Sequence, residues 1–187
     1  MTNTERDQRQ MHESYVQMTQ LVMPNDTNPY GTLSGGRLMH WIDVAGGVSA
    51  TRHARQLVVT AAIDQIVFHA PIPEGHIVVL EALVTCSGRT SMEVKVDVAG
   101  EDPVTGKTSH TTTARLVYVA VKNGVPVDVP DLIPSTPDEK AIYERALHRR
   151  ELRTVARGKA ESWVDRMGSE FVAFRSVDRL KPQIVVQ

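Results

Sequence analysis

The chain has 187 residues, 41% hydrophobic and 23% charged, an ordinary composition for a globular protein long enough to bury a core without staples. Its 21 basic and 22 acidic side chains leave a net charge of −1, so no basic field invites nucleic acid, and no apolar run reaches bilayer length. The single Cys86 and the polar opening MTNTERDQRQMHES, which lacks an apolar h-region, lead to the expectation of a cytoplasmic protein without a signal peptide or internal disulfide.

Residues 1–13 read as a mobile polar arm. Residues 14–23, SYVQMTQLVM, partly alternate apolar and polar and predict a strand. Residues 24–36, PNDTNPYGTLSGG, form a structured loop that ends in a helix start. The helix is expected over 35–54, because Leu38, Trp41, Ile42, Ala45 and Ser49 share one helical face. Val48 and Ala50 extend its apolar surface. Gly46 and Gly47 each cost roughly 1 kcal/mol against Ala in an exposed helix interior, which points to close backbone packing against a sheet or a second helix.

Four strands are expected next, at 57–69, 76–86, 91–99 and 109–122. In the third, Met92, Val94, Val96 and Val98 alternate with Glu93, Lys95 and Asp97, the pattern of a half-exposed strand. The fourth has a continuous apolar end and is expected to be buried on both faces. Turn signals at Pro71–Gly75, Ser87–Arg89 and Asp102–Lys107 favour antiparallel pairing. The Pro-rich stretch from 123 to 135 reads as irregular. Thr136-Pro137-Asp138-Glu139 is an N-cap, a Pro at N1 and a capping-box Glu at N3, opening a helix over about 137–156. Residues 157–187 carry apolar side chains suited to packing on a partner subunit.

One long helix against one antiparallel sheet is an α+β layer fold. Such a sheet has an edge strand that must be covered or paired, and edge-to-edge dimerisation would satisfy it.

The loop before the helix is the place to look for chemistry. A helix N-terminus that opens with Gly35 and Gly36 exposes backbone N–H groups, and its positive dipole end favours an anion or a developing oxyanion. The alternative is that the two glycines only make the turn. Asp43 lies seven residues after Gly36 among Trp41, Ile42, Val44 and Ala45. It is either a surface residue between buried ones or a partly buried carboxylate suited to general-base work. Asn28, between Thr27 and Pro29, is a turn residue or an amide that binds a carbonyl or water. The seven histidines show no metal-ligand spacing, and Cys86 sits in an apolar strand as a core residue.

The segment MPNDTNPYGTLSGGRLMHWID resembles the signature of hotdog-fold acyl-CoA thioesterases, the branch of brain-type acyl-CoA hydrolases and bacterial short-chain acyl-CoA thioesterases. RHARQLVVTAAIDQIVFHAPIPEGHIV, SGRTSMEVKVDVAGED and TARLVYVAVKNGVPVDVP are similar to later parts of the same family, in the same order, so that the resemblance spans about 14–133. It implies a hotdog domain over 14–133, with the sheet wrapped around one central helix, and leaves 134–187 as a C-terminal helical extension and tail suited to oligomer contacts. It also implies hydrolysis of an acyl-CoA thioester to a free acid and CoA without metal or cofactor. By the same resemblance Asp43 is the catalytic carboxylate, as general base or nucleophile, Asn28 is an active-site amide, and Gly36, with Gly35, is the helix start that polarises the carbonyl. Arg89, Thr90 and Ser91 match a segment near the CoA path. A dimer of hotdogs building a tetramer or hexamer is the implied assembly.

Seven helical residues span roughly 10 Å, so a carbonyl held at the Gly36 N–H does not also reach Asp43 of the same helix. A composite site follows, with Gly36 and Asn28 from one subunit and Asp43 from its partner. Two other readings compete with hydrolysis. A hotdog hydratase or dehydratase would typically use a His with an acid, and within the Asn28–Asp43 segment only His40 is available. A non-catalytic acyl-CoA sensor would use the same pocket without the chemistry.

Overall fold

The structure is a computed structural model and describes residues 6–155. Its strands are β1 (Gln8–Gln10), β2 (Val16–Leu21), β3 (Leu57–Phe68), β4 (Ile77–Ser87), β5 (Ser91–Glu101), β6 (Thr108–Lys122), β7 (Val125–Pro126) and β8 (Asp131–Ile133). The expected central helix is α1 (Gly35–Ala54). Residues 137–155 form a second helix, α2. It opens as its sequence requires: the Glu139 N–H donates to the Thr136 hydroxyl at 3.1 Å, and the Thr136 N–H donates to the Glu139 carboxylate at 3.2 Å. Residues up to Ala146 belong to one compact unit, and α2 continues past it into a second.

The main sheet runs β2-β4-β5-β6-β3, every neighbouring pair antiparallel, with β7 added against β6. It curls around α1. The predicted helical face is the one that packs: Leu38, Trp41, Ile42, Ala45 and Ser49 are all buried. The four apolar ones meet Val78, Leu80, Ala82 and Val84 of β4, Val94, Val96 and Val98 of β5, and Ala114, Leu116 and Ala120 of β6, in one apolar cluster. Each buried Val, Leu or Ile contributes about 1.5–3 kcal/mol by leaving water, so aliphatic side chains suffice for this core.

Gly46 explains itself in this packing. A Cβ there would stand 2.5 Å from the Tyr118 hydroxyl, so the backbone of α1 lies directly on a β6 side chain. At Gly47 the nearest atom would be 3.8 Å away, ordinary contact distance.

Four expectations are corrected. Residues 6–13 are not a free arm: β1 pairs in parallel with β8, Met11 is fully buried, and Arg6 binds Asp131 at 2.8 Å and the Gly88 carbonyl at 3.1 Å. The partner strand β8 lies in the stretch that reads as irregular, because short parallel pairing leaves no periodicity to detect. The apolar end of β6 is fully buried on one face only; Val117, Val119 and Val121 on the other are half-buried. Glu93, expected outward with Lys95 and Asp97, is buried, and its carboxylate accepts a hydrogen bond from Thr85 at 2.9 Å. Residue 156 and the stretch 157–187, expected to pack on a partner, lie outside the described residues.

Among the described residues β3 pairs only with β6, so its second edge is open. Two register shifts interrupt it, and Leu57, Val59, Ile63 and Phe68 stand exposed along it. Also among the described residues, no helix is long and apolar enough to cross a membrane.

Candidate active site

The loop before α1 is stitched at both ends. Asp26 pairs with Arg37 at 2.7 Å, its carbonyl accepts the Ser34 N–H, and the Leu33 N–H donates to the Ile72 carbonyl. Asn28 closes the turn from within. Its side-chain oxygen accepts the Tyr30 N–H at 2.9 Å, and its NH2 donates to the Thr32 hydroxyl at 3.0 Å. The amide is therefore held in one orientation, and its turn role and its availability to a ligand coexist.

The loop delivers the chain to Ser34, the N-cap of α1, whose side chain makes no capping bond. Gly35 and Gly36 follow with ordinary φ values; the positive-φ glycines are Gly31, Gly75, Gly106 and Gly124. A Cβ at either Gly35 or Gly36 would find its nearest atom 3.9 Å away. Neither the backbone conformation nor crowding within the chain thus demands glycine here. What glycine does is leave the first N–H groups of a 20-residue helix uncovered. Gly35 borders a cavity of about 350 Å³ with Asn28, Leu33, Leu38, Phe68 and His69; Gly36, expected there, is exposed beside it and does not line it.

Asp43 lies elsewhere. It is half-buried on α1 and borders a cleft of about 790 Å³ with Val44, Val48, Arg52, Arg55 and Leu57. The two linings share no residue. Within one chain, the structure brings Asn28 and Gly35 together and keeps Asp43 apart from them.

Two partners of Asp43 escaped the reading of the sequence. The Thr60 hydroxyl donates to Oδ1 at 2.6 Å, and the Tyr118 hydroxyl lies 3.2 Å from Oδ1 and 3.0 Å from the Asp43 carbonyl oxygen. Thr60 and Tyr118 are register partners on β3 and β6, so the two hydroxyls reach the carboxylate from adjacent strands. The only signal in the sequence was a hydroxyl within a locally apolar stretch of each strand, Val58–Ile63 and Leu116–Val121. Burial first, then the neighbouring Asp43 charge, push the Tyr118 phenol far above its ordinary pKa, which keeps it a donor.

Arg89 and Thr90 lie in the β4–β5 turn and Ser91 opens β5; none of the three borders either cavity. Arg89 pairs loosely with Asp128 at 3.5 Å, the Thr90 carbonyl accepts the Ala120 N–H, and the Ser91 carbonyl accepts the Gly88 N–H. Ser91 is in register with Val119, which puts the turn at the same end of the sheet as Tyr118. Cys86 is buried, as a core residue should be. Among the described residues no three His, Cys, Asp or Glu side chains gather as metal ligands.

Residues 30–116 match the thioesterase superfamily. The chain is 38% identical over 159 residues to the Bacillus subtilis acyl-CoA thioester hydrolase YkhA, covering 84% of this chain and 92% of that protein. Its fold superposes on the Staphylococcus aureus acyl-CoA hydrolase solved with butyryl coenzyme A and coenzyme A, with a TM-score of 0.79, 33% identity and coverage of 86% of this chain and 99% of that one. That enzyme has also been solved as Asn28→Ala, Asp43→Ala and Thr60→Ala variants. A hexameric acyl-CoA thioesterase is 40% identical, with a TM-score of 0.77 over 80% of this chain and 97% of that one. The wrapped sheet and central helix are the hotdog thioesterase fold.

Proposed function

The chain belongs to the thioesterase superfamily, among its acyl-CoA thioester hydrolases, and we propose the roles by which its residues cleave the thioester. The carbonyl oxygen of the acyl group binds at the start of α1, against the Gly36 N–H and the Asn28 amide. Asp43 acts on the carbonyl carbon from the opposite side, by activating water or by direct attack through an anhydride. The developing oxyanion is met by N–H groups already oriented and by the positive end of the helix dipole. CoA leaves as a thiolate, a good leaving group, and the reaction needs no metal or cofactor. Arg89, Thr90 and Ser91 meet the CoA moiety.

The observation that carries this reading is the separation of the two halves of the machinery. Asn28 and the helix start border one cavity, and Asp43 borders another. A second copy paired along the open edge of β3 would bring the Asp43 cleft of one subunit against the Asn28 cavity of the other, giving two equivalent composite sites per dimer. The same pairing would cover Val59 and Ile63. The hexameric relative supports further assembly of such dimers. The residue types and numbers altered in the Staphylococcus aureus variants recur here as Asn28, Asp43 and Thr60, which supports placing them in the site. The lone buried cysteine suits a cytoplasmic setting.

Mixing subunits tests the arrangement. Asp43→Ala and Asn28→Ala proteins should each lose nearly all turnover of acyl-CoA when assayed alone. A mixed dimer has one site with both residues intact, so random reassociation of equal amounts should restore about a quarter of wild-type CoA release. Verified mixed dimers without activity would eliminate the composite site.

A further inference from the structure

The hydroxyl of Tyr118 is a feature of the buried core that packing alone does not account for. Its ring is 1% exposed and would fill the same space as a phenylalanine ring. The hydroxyl requires an unusual concession from α1. Gly46, three residues after Asp43 in the middle of the helix, has no Cβ, and any Cβ there would lie 2.5 Å from the Tyr118 oxygen and 3.1 Å from the ring carbon that bears it. Glycine in a helix interior costs roughly 1 kcal/mol against alanine, so the helix gives up stability at the position that admits this oxygen.

What the oxygen reaches is Asp43. It lies 3.0 Å from the backbone carbonyl and 3.2 Å from Oδ1, and Oδ1 also accepts from Thr60 at 2.6 Å. Among the described hydrogen bonds none falls on Oδ2. We propose that Tyr118 is a positioning residue for Asp43: its hydroxyl pins the backbone and Oδ1 of the aspartate together with Thr60, and so turns Oδ2 outward as the oxygen that works on water or substrate. Gly46 is its permissive partner, leaving the space in which the phenol closes on the helix. The inference rests on Asp43 as the reacting carboxylate.

The phenol is suited to this task. Burial, and then the Asp43 charge, raise its pKa, so it is protonated and a donor at neutral pH. A carboxylate with one oxygen held by two hydroxyls has lost its rotation about the Cβ–Cγ bond, so the free oxygen is already aimed when substrate arrives.

The test uses wild type, Tyr118→Phe, Gly46→Ala and the double variant, with Asp43→Asn alongside. CoA release over a range of acyl-CoA concentrations gives kcat and KM, and thermal melts report folding. Tyr118→Phe should fold, keep its KM and lose about tenfold in kcat, the scale of one hydrogen bond to a charged group. Gly46→Ala in the wild-type background should lower both Tm and kcat, because the new methyl displaces the hydroxyl. Added to Tyr118→Phe, the same substitution should lower kcat no further and cost less in Tm, because the oxygen it met is gone. Wild-type kcat in Tyr118→Phe beside an inactive Asp43→Asn would overturn the proposal while leaving Asp43 in its role. An equal loss of kcat on adding Gly46→Ala to either background would overturn it as well. An active Asp43→Asn would overturn this inference and the role of Asp43 together.

Discussion

At its N-terminal end α1 starts on Ser34 with no side-chain cap and two glycines that neither φ nor packing requires, beside a cavity holding Asn28. At its C-terminal end several side chains anchor it to the rest of the chain. The Ser49 hydroxyl donates to the Ser14 carbonyl at 2.8 Å, Arg52 to the Tyr15 carbonyl at 2.6 Å, and the buried His53 ring to the Pro130 carbonyl at 2.9 Å. Arg55 ends the helix in the left-handed conformation, φ 53°, which costs a non-glycine residue roughly 1 kcal/mol, and its N–H closes on the Thr51 carbonyl. The N-terminal end leaves N–H donors without helical partners and the C-terminal end leaves carbonyl acceptors. Side chains anchor the C-terminal end to the rest of the chain, and no side chain caps the N-terminal end. A helix terminus that keeps its donors open, without disturbing the fold around it, is where a ligand belongs.

The contrast can be broken most directly at the open end. Asn28→Ala should lower kcat/KM for acyl-CoA by about 10²-fold, the loss expected for one oxyanion contact, while Tm moves little. A large fall in Tm with turnover per folded molecule intact would make Asn28 a turn residue only.

At the tied end the effects should be exchanged. His53→Leu leaves the Pro130 carbonyl unpaired in a buried position, a cost of about 2 kcal/mol, and should lower Tm by several degrees while kcat per folded subunit stays close to wild type.

The same histidine gives a pH signature. Burial pulls its pKa below the ordinary imidazole value and Arg9 adds to this, while the Pro130 carbonyl, Glu13 and Asp131 act in the opposite sense. Protonation therefore favours the unfolded chain. The contribution of His53 is full above the unfolded imidazole pKa of about 6.5 and declines as pH falls from there toward the lower folded value. Melts from pH 7.5 to 5.5 should show wild type losing more stability than His53→Gln, whose amide keeps the bond to Pro130 without titrating. Parallel slopes for the two proteins would remove His53 as the source.

The smallest effect sharpens the comparison furthest. Gly35→Ala is compatible with the backbone and meets no atom closer than 3.9 Å, so it should raise stability by about 0.5 kcal/mol. Its methyl also enters the cavity beside Phe68, so acyl-CoA turnover should fall as Tm rises. A variant that gains in both would show that the open end holds no ligand.

Much of this architecture was legible before any coordinates. The periodicity of Leu38, Trp41, Ile42, Ala45 and Ser49 marked the face of α1 that is buried, and the four long strands fall within about two residues of their expected limits. The turn glycines Gly75, Gly106 and Gly124 adopt the positive φ that a β-branched chain cannot supply. Asn28, Gly36 and Asp43 became site candidates through family resemblance, since taken alone each read at least as well as a structural residue. Thr60 and Tyr118 were not, because they lie 17 and 75 residues from Asp43 and meet it only through the β3–β6 register. The burial of Glu93 was hidden for a related reason: strict alternation predicts which face a side chain takes, and not whether that face is covered.

The sequence by itself therefore determined what is periodic or local: the helix and its buried face, the strand order of appearance, the turns, and the cap of α2. These follow from side-chain spacing and from φ restrictions that act within a few residues. Whereas the distance of Asp43 from the helix start already followed from the helical rise, tertiary structure alone decided the neighbours of Asp43 and the tying of residues 6–13 to β8. Those depend on strand register and on the curl of the sheet, where a shift of one residue changes every contact and leaves no trace in local composition.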